Sequence, residues 1–207
     1  MKILVADDHA IVRKGFQQII ATRPGWQVAA EASNAYELLC ALRGDTFDVL
    51  VLDVSLGNRS GIELLANARA EFPSLPVLML SMHPEEQYAL RCLRAGANGY
   101  IQKDTAPEEI LDAIGRVASG GKYITPALAS RLADEMVRGT DDPHARLSGR
   151  EFEVFRLIAL GRTPTDIAES LNLSVKTVST YRTRILEKTG FRSNADIISY
   201  AIRNSLV

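Results

Sequence analysis

Residues Asp48–Asp53 place four branched apolar residues in a row, Val49-Leu50-Val51-Leu52, between two carboxylates. A run that is apolar at every position describes a strand covered on both faces, as in the centre of a parallel sheet. Further strand-like runs stand at Lys2–Ala6, Trp26–Ala32, Pro76–Leu80 and Gly99–Ile101. Between them the apolar positions take helical spacing. His9 to Ala21 carries Ile11, Val12, Phe16, Ile19 and Ile20, and Pro24-Gly25 breaks it. Ser33 or Asn34 caps a helix through Leu38, Leu39 and Leu42 that ends at Gly44. A loop from Ser55 to Gly61 leads to a helix with Ile62, Leu64, Leu65 and Phe72, and another runs from Pro84 or Glu85 to Arg94 before Ala95-Gly96. Pro107 opens a helix through Ile110, Ala113, Ile114 and Val117, stopped by Gly120-Gly121. Strands alternating with helices at this rhythm predict a doubly wound α/β domain with a five-stranded parallel sheet over residues 1–120.

Residues 121–145 read as a linker. Thr125-Pro126 starts a connector helix through Leu128, Leu132 and Met136, and the breaker-rich Gly139-Thr140-Asp141-Asp142-Pro143 marks a domain boundary. From Arg146 to Val207 the pattern is helical throughout. Four capping pairs open four short helices: Ser148 before Glu151, Thr163 before Asp166, Ser174 before Thr177, and Ser193 before Asp196. The first is a full capping box and the others read as looser versions. Pro164–Leu171 and Val175–Thr189 are joined by Asn172-Leu173-Ser174, with Ile167, Ala168, Leu171, Val178, Ile185 and Leu186 facing inward. A short helix, a tight turn in which Asn172 takes the left-handed conformation, and a longer second helix form a helix-turn-helix. The chain is thus expected to pair an α/β domain with a small all-α, four-helix one.

Composition leaves this picture intact. An apolar fraction of 46% and a charged fraction of 24% are those of soluble globular proteins. No apolar run reaches the roughly 20 residues of a membrane span, and the N-terminus shows no signal-peptide core, so a cytoplasmic location is expected. Cys40 and Cys92 lie far apart without zinc or disulfide spacing and read as reduced and partly buried. Charge adds something new. The net −1 divides into ten Lys+Arg against six Asp+Glu from Arg146 onward, and 14 against 19 before it. A basic C-terminal module suits a polyanionic partner.

Right-handed crossovers bring the C-terminal ends of all the strands to one edge of the sheet, where ligands gather in such folds. The residues there are Asp7 and Asp8, Asp53, Ser81 and Lys103. Three crowded carboxylates repel one another, and a hard divalent cation such as Mg²⁺ relieves this. A carboxylate can attack phosphorus to form an acyl phosphate, and Asp53, on the central strand, is the assigned nucleophile. Lys103 and Ser81 would hold the phosphoryl oxygens. Singly these residues have plainer readings: Asp7-Asp8 as a solvated helix start, Ser81 as a strand-end hydroxyl, Tyr100 as an edge aromatic, His9 as a neighbour of the acids and not a ligand. His83 and His144 read as surface residues and Cys92 as core filling. In the second module Lys176, Thr177, Ser179, Thr180, Thr183 and Arg184 share the outward face of the longer helix. Short hydroxyls flanked by cations suit a helix in the DNA major groove; the plainer reading is a solvated charged face of a partner-binding bundle.

Asp7-Asp8, Asp53, Ser81, Tyr100 and Lys103, each at its strand end, resemble the flavodoxin-like receiver domain of two-component response regulators over residues 1–120. The resemblance implies that Asp53 accepts a phosphoryl group from a cognate histidine kinase. Asp8, Asp53 and the Ser55 carbonyl would bind Mg²⁺ with Asp7 acting through water, Ser81 would move toward the phosphoryl group, and Tyr100 would swing inward. Gly57 and Asp104 depart from the pattern, since many receivers carry Pro at both places. Leu147-Ser148-Gly149-Arg150-Glu151, Asp166-Ile167-Ala168 and Lys176-Thr177-Val178 are similar to the LuxR-type DNA-binding domain over 146–207. Together the two stretches resemble NarL/FixJ-family regulators end to end. This implies that Val175–Thr189 is the recognition helix, and Tyr181, where many relatives carry His, is expected against a phosphate; the flanking cations and the cap amides at Ser174 hold phosphates as well. The last helix, Ser193–Asn204, would dimerise the phosphorylated protein on promoter DNA, with RNA polymerase as a further partner and no membrane. Two competing readings are an aspartyl-phosphate phosphatase and a regulator that binds DNA without phosphorylation.

Overall fold

The computed structural model describes residues 1–138, 142–204 and 206–207, with the side chains of 134–138 left aside. The chain divides into two compact units, Met1–Ser130 and Arg131–Val207. The expected boundary at Gly139-Thr140-Asp141 and the expected inward Met136 side chain lie outside the described residues.

The first unit follows the predicted alternation. Its main strands are β1 (Lys2–Ala6), β2 (Gln27–Ala32), β3 (Val49–Asp53), β6 (Val77–Ser81) and β7 (Gly99–Gln102), separated by α1 (Ala10–Ala21), α2 (Ala35–Gly44), α3 (Gly61–Glu71), α4 (Glu85–Arg94) and α5 (Pro107–Ala118). The strands form one parallel sheet in the order β2-β1-β3-β6-β7. The order reverses at β1, and the crevice beside a reversal point is where such sheets bind ligands. Every residue of β3 is buried, because alternate side chains feed helix layers on both faces. On one face Ile3, Val5, Val51 and Leu80 pack with Phe16 and Ile20 of α1 and Ile114 and Val117 of α5. Each such side chain contributes about 1.5–3 kcal/mol of transfer free energy. Asn34 caps α2 by accepting from the Glu37 N–H. Cys92 is buried, as expected, whereas Cys40 is exposed on α2, not partly buried.

The segment expected to be a plain loop, Ser55–Gly61, instead carries a minimal antiparallel ribbon of β4 (Ser55–Leu56) and β5 (Arg59–Ser60). Gly57 opens its two-residue turn at φ 56°. A proline ring fixes φ near −65°, so this turn needs Gly57 and the departure from Pro has a backbone reason.

The connector helix α6 (Pro126–Arg138) starts where the Thr125 hydroxyl accepts from the Leu128 N–H. Thr125 is also hydrogen-bonded to Glu85 at 2.5 Å, and Leu128 is buried. The second unit holds α7 (Gly149–Ala159), α8 (Pro164–Ser170), α9 (Val175–Thr189) and α10 (Asn194–Arg203). Three of its caps are reciprocal boxes, at Ser148/Glu151, Thr163/Asp166 and Ser193/Asp196. The latter two are tighter than expected: the extended N-cap backbone brings each aspartate oxygen to 3.0 Å from the N-cap N–H. Ser174 caps α9 one way only, its hydroxyl also meeting that of Thr177 at 2.8 Å. Asn172 takes φ 52° in the turn between α8 and α9. His83 and His144 are half-buried, not surface residues. His83 stacks on Tyr88 with centroids 4.8 Å apart, and His144 Nδ1 meets the Tyr200 hydroxyl at 2.8 Å.

Candidate acidic pocket and nucleic-acid interface

Parallel pairing of β1, β3, β6 and β7 sets the strand ends side by side. β3 pairs with β6 through Asp53↔Leu80, and β6 with β7 through Ser81↔Gln102. Asp7 and Lys103 each follow a strand end directly. Lys103 Nζ lies 2.6 Å from Asp7 Oδ2 and 2.7 Å from Asp53 Oδ2. Asp7 is fully buried and Asp53 is 4% exposed, so the ammonium sits between two carboxylates with little water to screen them. Burial pushes the Asp53 carboxyl up to about 6, with Lys103 opposing and Asp7 adding to the shift. Burial works against the Lys103 charge, but Asp53 and Asp7 outweigh it and hold the ammonium above its ordinary range. The Asp53 Oδ1 accepts from the Ser55 N–H at 3.2 Å.

Asp8 and His9 complete the cup. Asp7, Asp8, His9 and Asp53 offer donor atoms within 4.8 Å of one another. A Mg²⁺ ion holds ligands at about 2.1 Å, hence opposite ligands about 4.2 Å and adjacent ones about 3 Å apart, so the acids would draw together around it. Three carboxylates fit such a hard, oxygen-seeking cation. His9 Nδ1 lies 2.7 Å from Asp8 and 3.1 Å from Asp7, as a hydrogen-bond partner of the acids. Its place beside the acids was expected, but the direction of the ring was not legible, because an exposed side chain at a helix start can turn either way. Also unforeseen was Gly61: a Cβ there would stand 1.9 Å from the Asp53 carbonyl oxygen. Only glycine lets α3 begin so close to the end of β3.

Ser81 is buried, its hydroxyl accepting from the His83 N–H at 3.0 Å. Tyr100 is buried as well, pointing inward, and donates to the His83 carbonyl at 2.7 Å. The Ser81–His83 turn is thereby joined to β7.

On α9 the buried residues are Val178, Ile185 and Thr189. Lys176, Ser179, Thr180, Thr183 and Arg184 are exposed, as is Ser174, while Thr177 and Tyr181 are half-buried. Two contacts aim this helix. Lys188 Nζ reaches Glu151 at 2.6 Å, and Arg182 donates to Asn194 at 2.7 Å.

Residues 3–115 match the response regulator receiver domain family, and residues 145–201 match the luxR family of bacterial regulatory proteins. The chain belongs to the NarL/FixJ family of DNA-binding two-component response regulators. The regulator is 35% identical to the oxygen regulatory protein NreC of Staphylococcus carnosus, the alignment covering 100% of this chain and 99% of NreC. It is 37% identical to NreC of Staphylococcus aureus with the same coverage. Among solved structures, RcsB of Salmonella enterica serovar Typhimurium, bound to promoter rprA with the phosphomimetic BeF3⁻, is 28% identical with 97% of each chain covered and a TM-score of 0.63. A LuxR-family two-component response regulator from Aurantimonas is 36% identical with a TM-score of 0.60, covering 66% of the regulator and 97% of that chain. Among the described residues of the regulator no helix is long and apolar enough to cross a membrane.

Proposed function

We propose that the regulator accepts a phosphoryl group on Asp53 from the phosphohistidine of a cognate sensor kinase in the cytoplasm, and that this controls dimerisation and promoter binding through α9. The observation carrying the reading is the Lys103 ammonium held between Asp7 and Asp53 at 2.6 and 2.7 Å. A carboxylate oxygen of Asp53 forms the new P–O bond as the P–N bond of the phosphohistidine breaks. The electron pair leaves on the imidazole, which takes up a proton. Asp8, Asp53 and the Ser55 carbonyl, assisted by Asp7, would hold Mg²⁺, which when bound would supply charge neutralisation for the transferred oxygens. Lys103 exchanges its contact with Asp53 for a phosphoryl oxygen, and the Ser81 hydroxyl donates to another. Any shift of Ser81 pulls on the turn that Tyr100 ties to β7, and so biases the packing around α4.

On the DNA side, Ser174 and Thr177 present the amino end of α9 to a phosphate. Lys176 and Arg184 bind phosphate or guanine edges, Tyr181 rests against the backbone, and Ser179, Thr180 and Thr183 face the bases. The RcsB structure, bound to promoter DNA in the presence of BeF3⁻, supports promoter binding by the phosphorylated form by analogy. RNA polymerase is the further partner of a promoter-bound dimer. Two measurements test the reading. Asp53→Ala abolishes acyl-phosphate labelling by a phosphodonor, and retained labelling overturns the site. Mobility shifts on promoter fragments tighten with BeF3⁻ and Mg²⁺; equal affinity with and without them overturns the phosphorylation switch.

A further inference from the structure

The three central hydroxyls on the exposed face of α9 are not chemically neutral toward DNA. Ser179 Oγ donates to the Val175 carbonyl at 3.0 Å, Thr180 Oγ1 to Lys176 at 3.0 Å, and Thr183 Oγ1 to Ser179 at 3.2 Å. A hydroxyl has one hydrogen, and in each case it is spent on the helix itself. What faces outward is lone pairs. We infer that Ser179, Thr180 and Thr183 act toward bases as acceptors only, so that the middle of α9 selects the exposed amino groups of adenine or cytosine. The inference rests on α9 being the base-reading helix.

In the major groove the only base donors are adenine N6 and cytosine N4; guanine N7 and O6, adenine N7 and thymine O4 are all acceptors. An acceptor hydroxyl facing a base amino group adds a hydrogen bond and gives none up. Turning to donate to N7 or O4 would exchange the carbonyl bond for the new one, with no net gain. Lys176 and Arg184 have donors only and flank these positions in sequence. The face therefore runs donor, acceptors, donor along the helix. The Thr180 and Thr183 methyl groups suit the thymine methyl of an A·T pair.

The test uses the full chain with BeF3⁻ and Mg²⁺. Sites are selected from a randomised duplex. Each enriched adenine is then replaced by purine, which lacks the N6 amino group, or by 7-deazaadenine, which keeps it and lacks N7. Each enriched cytosine is replaced by a pyrimidinone lacking the N4 amino group. Removing an amino group read by α9 weakens binding about three- to tenfold, the worth of one hydrogen bond, while 7-deazaadenine binds like adenine. Ser179→Ala, Thr180→Val and Thr183→Val separate recognition from weakened base pairing: the variant that removes the matching acceptor binds parent and amino-less duplexes equally. Losses confined to 7-deazaadenine, or amino-group losses that persist unchanged in all three variants, overturn the acceptor assignment. Lys176→Ala with Arg184→Ala tests the underlying reading separately. Weakened binding, uniform where the two cations meet phosphates and sequence-dependent where they meet guanine edges, upholds a DNA-facing α9, and undiminished binding removes that reading and the inference with it.

Discussion

At Asp53 a carboxylate is kept where burial disfavours its charge, with one ammonium to share between it and Asp7. Its carboxyl is raised from 3.8 to about 6, so the folded protein binds a proton there more tightly than the unfolded chain. This group's contribution to stability is therefore fully present below about pH 4 and is lost as pH rises through 6. In Mg²⁺-free buffer the wild type should lose on the order of 2 kcal/mol relative to Asp53→Asn between pH 4.5 and 7.5, read from urea midpoints. A parallel pH dependence in the two proteins would contradict it. Lys103 bears on the same balance from the other side. Lys103→Met leaves two buried carboxylates without a counter-charge, a change that costs about 3–5 kcal/mol. Added Mg²⁺ should restore much of that stability, with differential scanning calorimetry as the check; a loss indifferent to Mg²⁺ would mean that the acids do not share an ion. Asp53, Asp7 and Lys103 were legible in the sequence because each ends or follows an apolar run. The turning of His9 onto Asp7 and Asp8 was not, since no apolar neighbour dictates the direction of an exposed ring.

At the level of elements, apolar period and capping chemistry placed the strands and helices within a residue or so. One exception is instructive. Leu56-Gly57-Asn58-Arg59 carries a Gly-Asn hairpin signal, but its flanks are too short to alternate, so periodicity is silent and only the turn chemistry speaks. Close approaches escape sequence reasoning for another reason: Gly61 looks like any helix start until β3 is set beside it. Gly61→Ala must push the start of α3 off the Asp53 carbonyl, because a Cβ would stand at 1.9 Å. The expected outcome is a slower Asp53 labelling rate together with a stability loss of about 1–3 kcal/mol. Normal labelling and an unchanged midpoint would show that the α3 start is not what holds the acid in place. Asn172 gives the counterpart in the second unit. Its φ of 52° predicts that Asn172→Ala costs about 1–2 kcal/mol while Asn172→Gly is close to neutral, as thermal melts would report.

For the whole molecule the informative quantity is how charge is divided along the chain. Ten basic against six acidic residues from Arg146 onward, and the reverse bias before it, make DNA affinity dependent on how many basic modules engage at once. Each phosphate neutralised contributes about −0.9 to the slope of log K against log salt. A single module meeting the backbone through Lys176, Arg184 and the amino end of α9 gives a shallow slope. Two modules on adjacent half-sites give about twice that slope, because counterions are released from both. If phosphorylation acts by assembling dimers, the BeF3⁻- and Mg²⁺-treated protein should show both a tighter Kd and a roughly doubled salt slope in fluorescence-anisotropy titrations. Asp53→Ala should keep the shallow slope under both conditions. A tighter Kd at an unchanged slope would point instead to a switch within one protomer, in which the same few cations bind more favourably and no second module joins them.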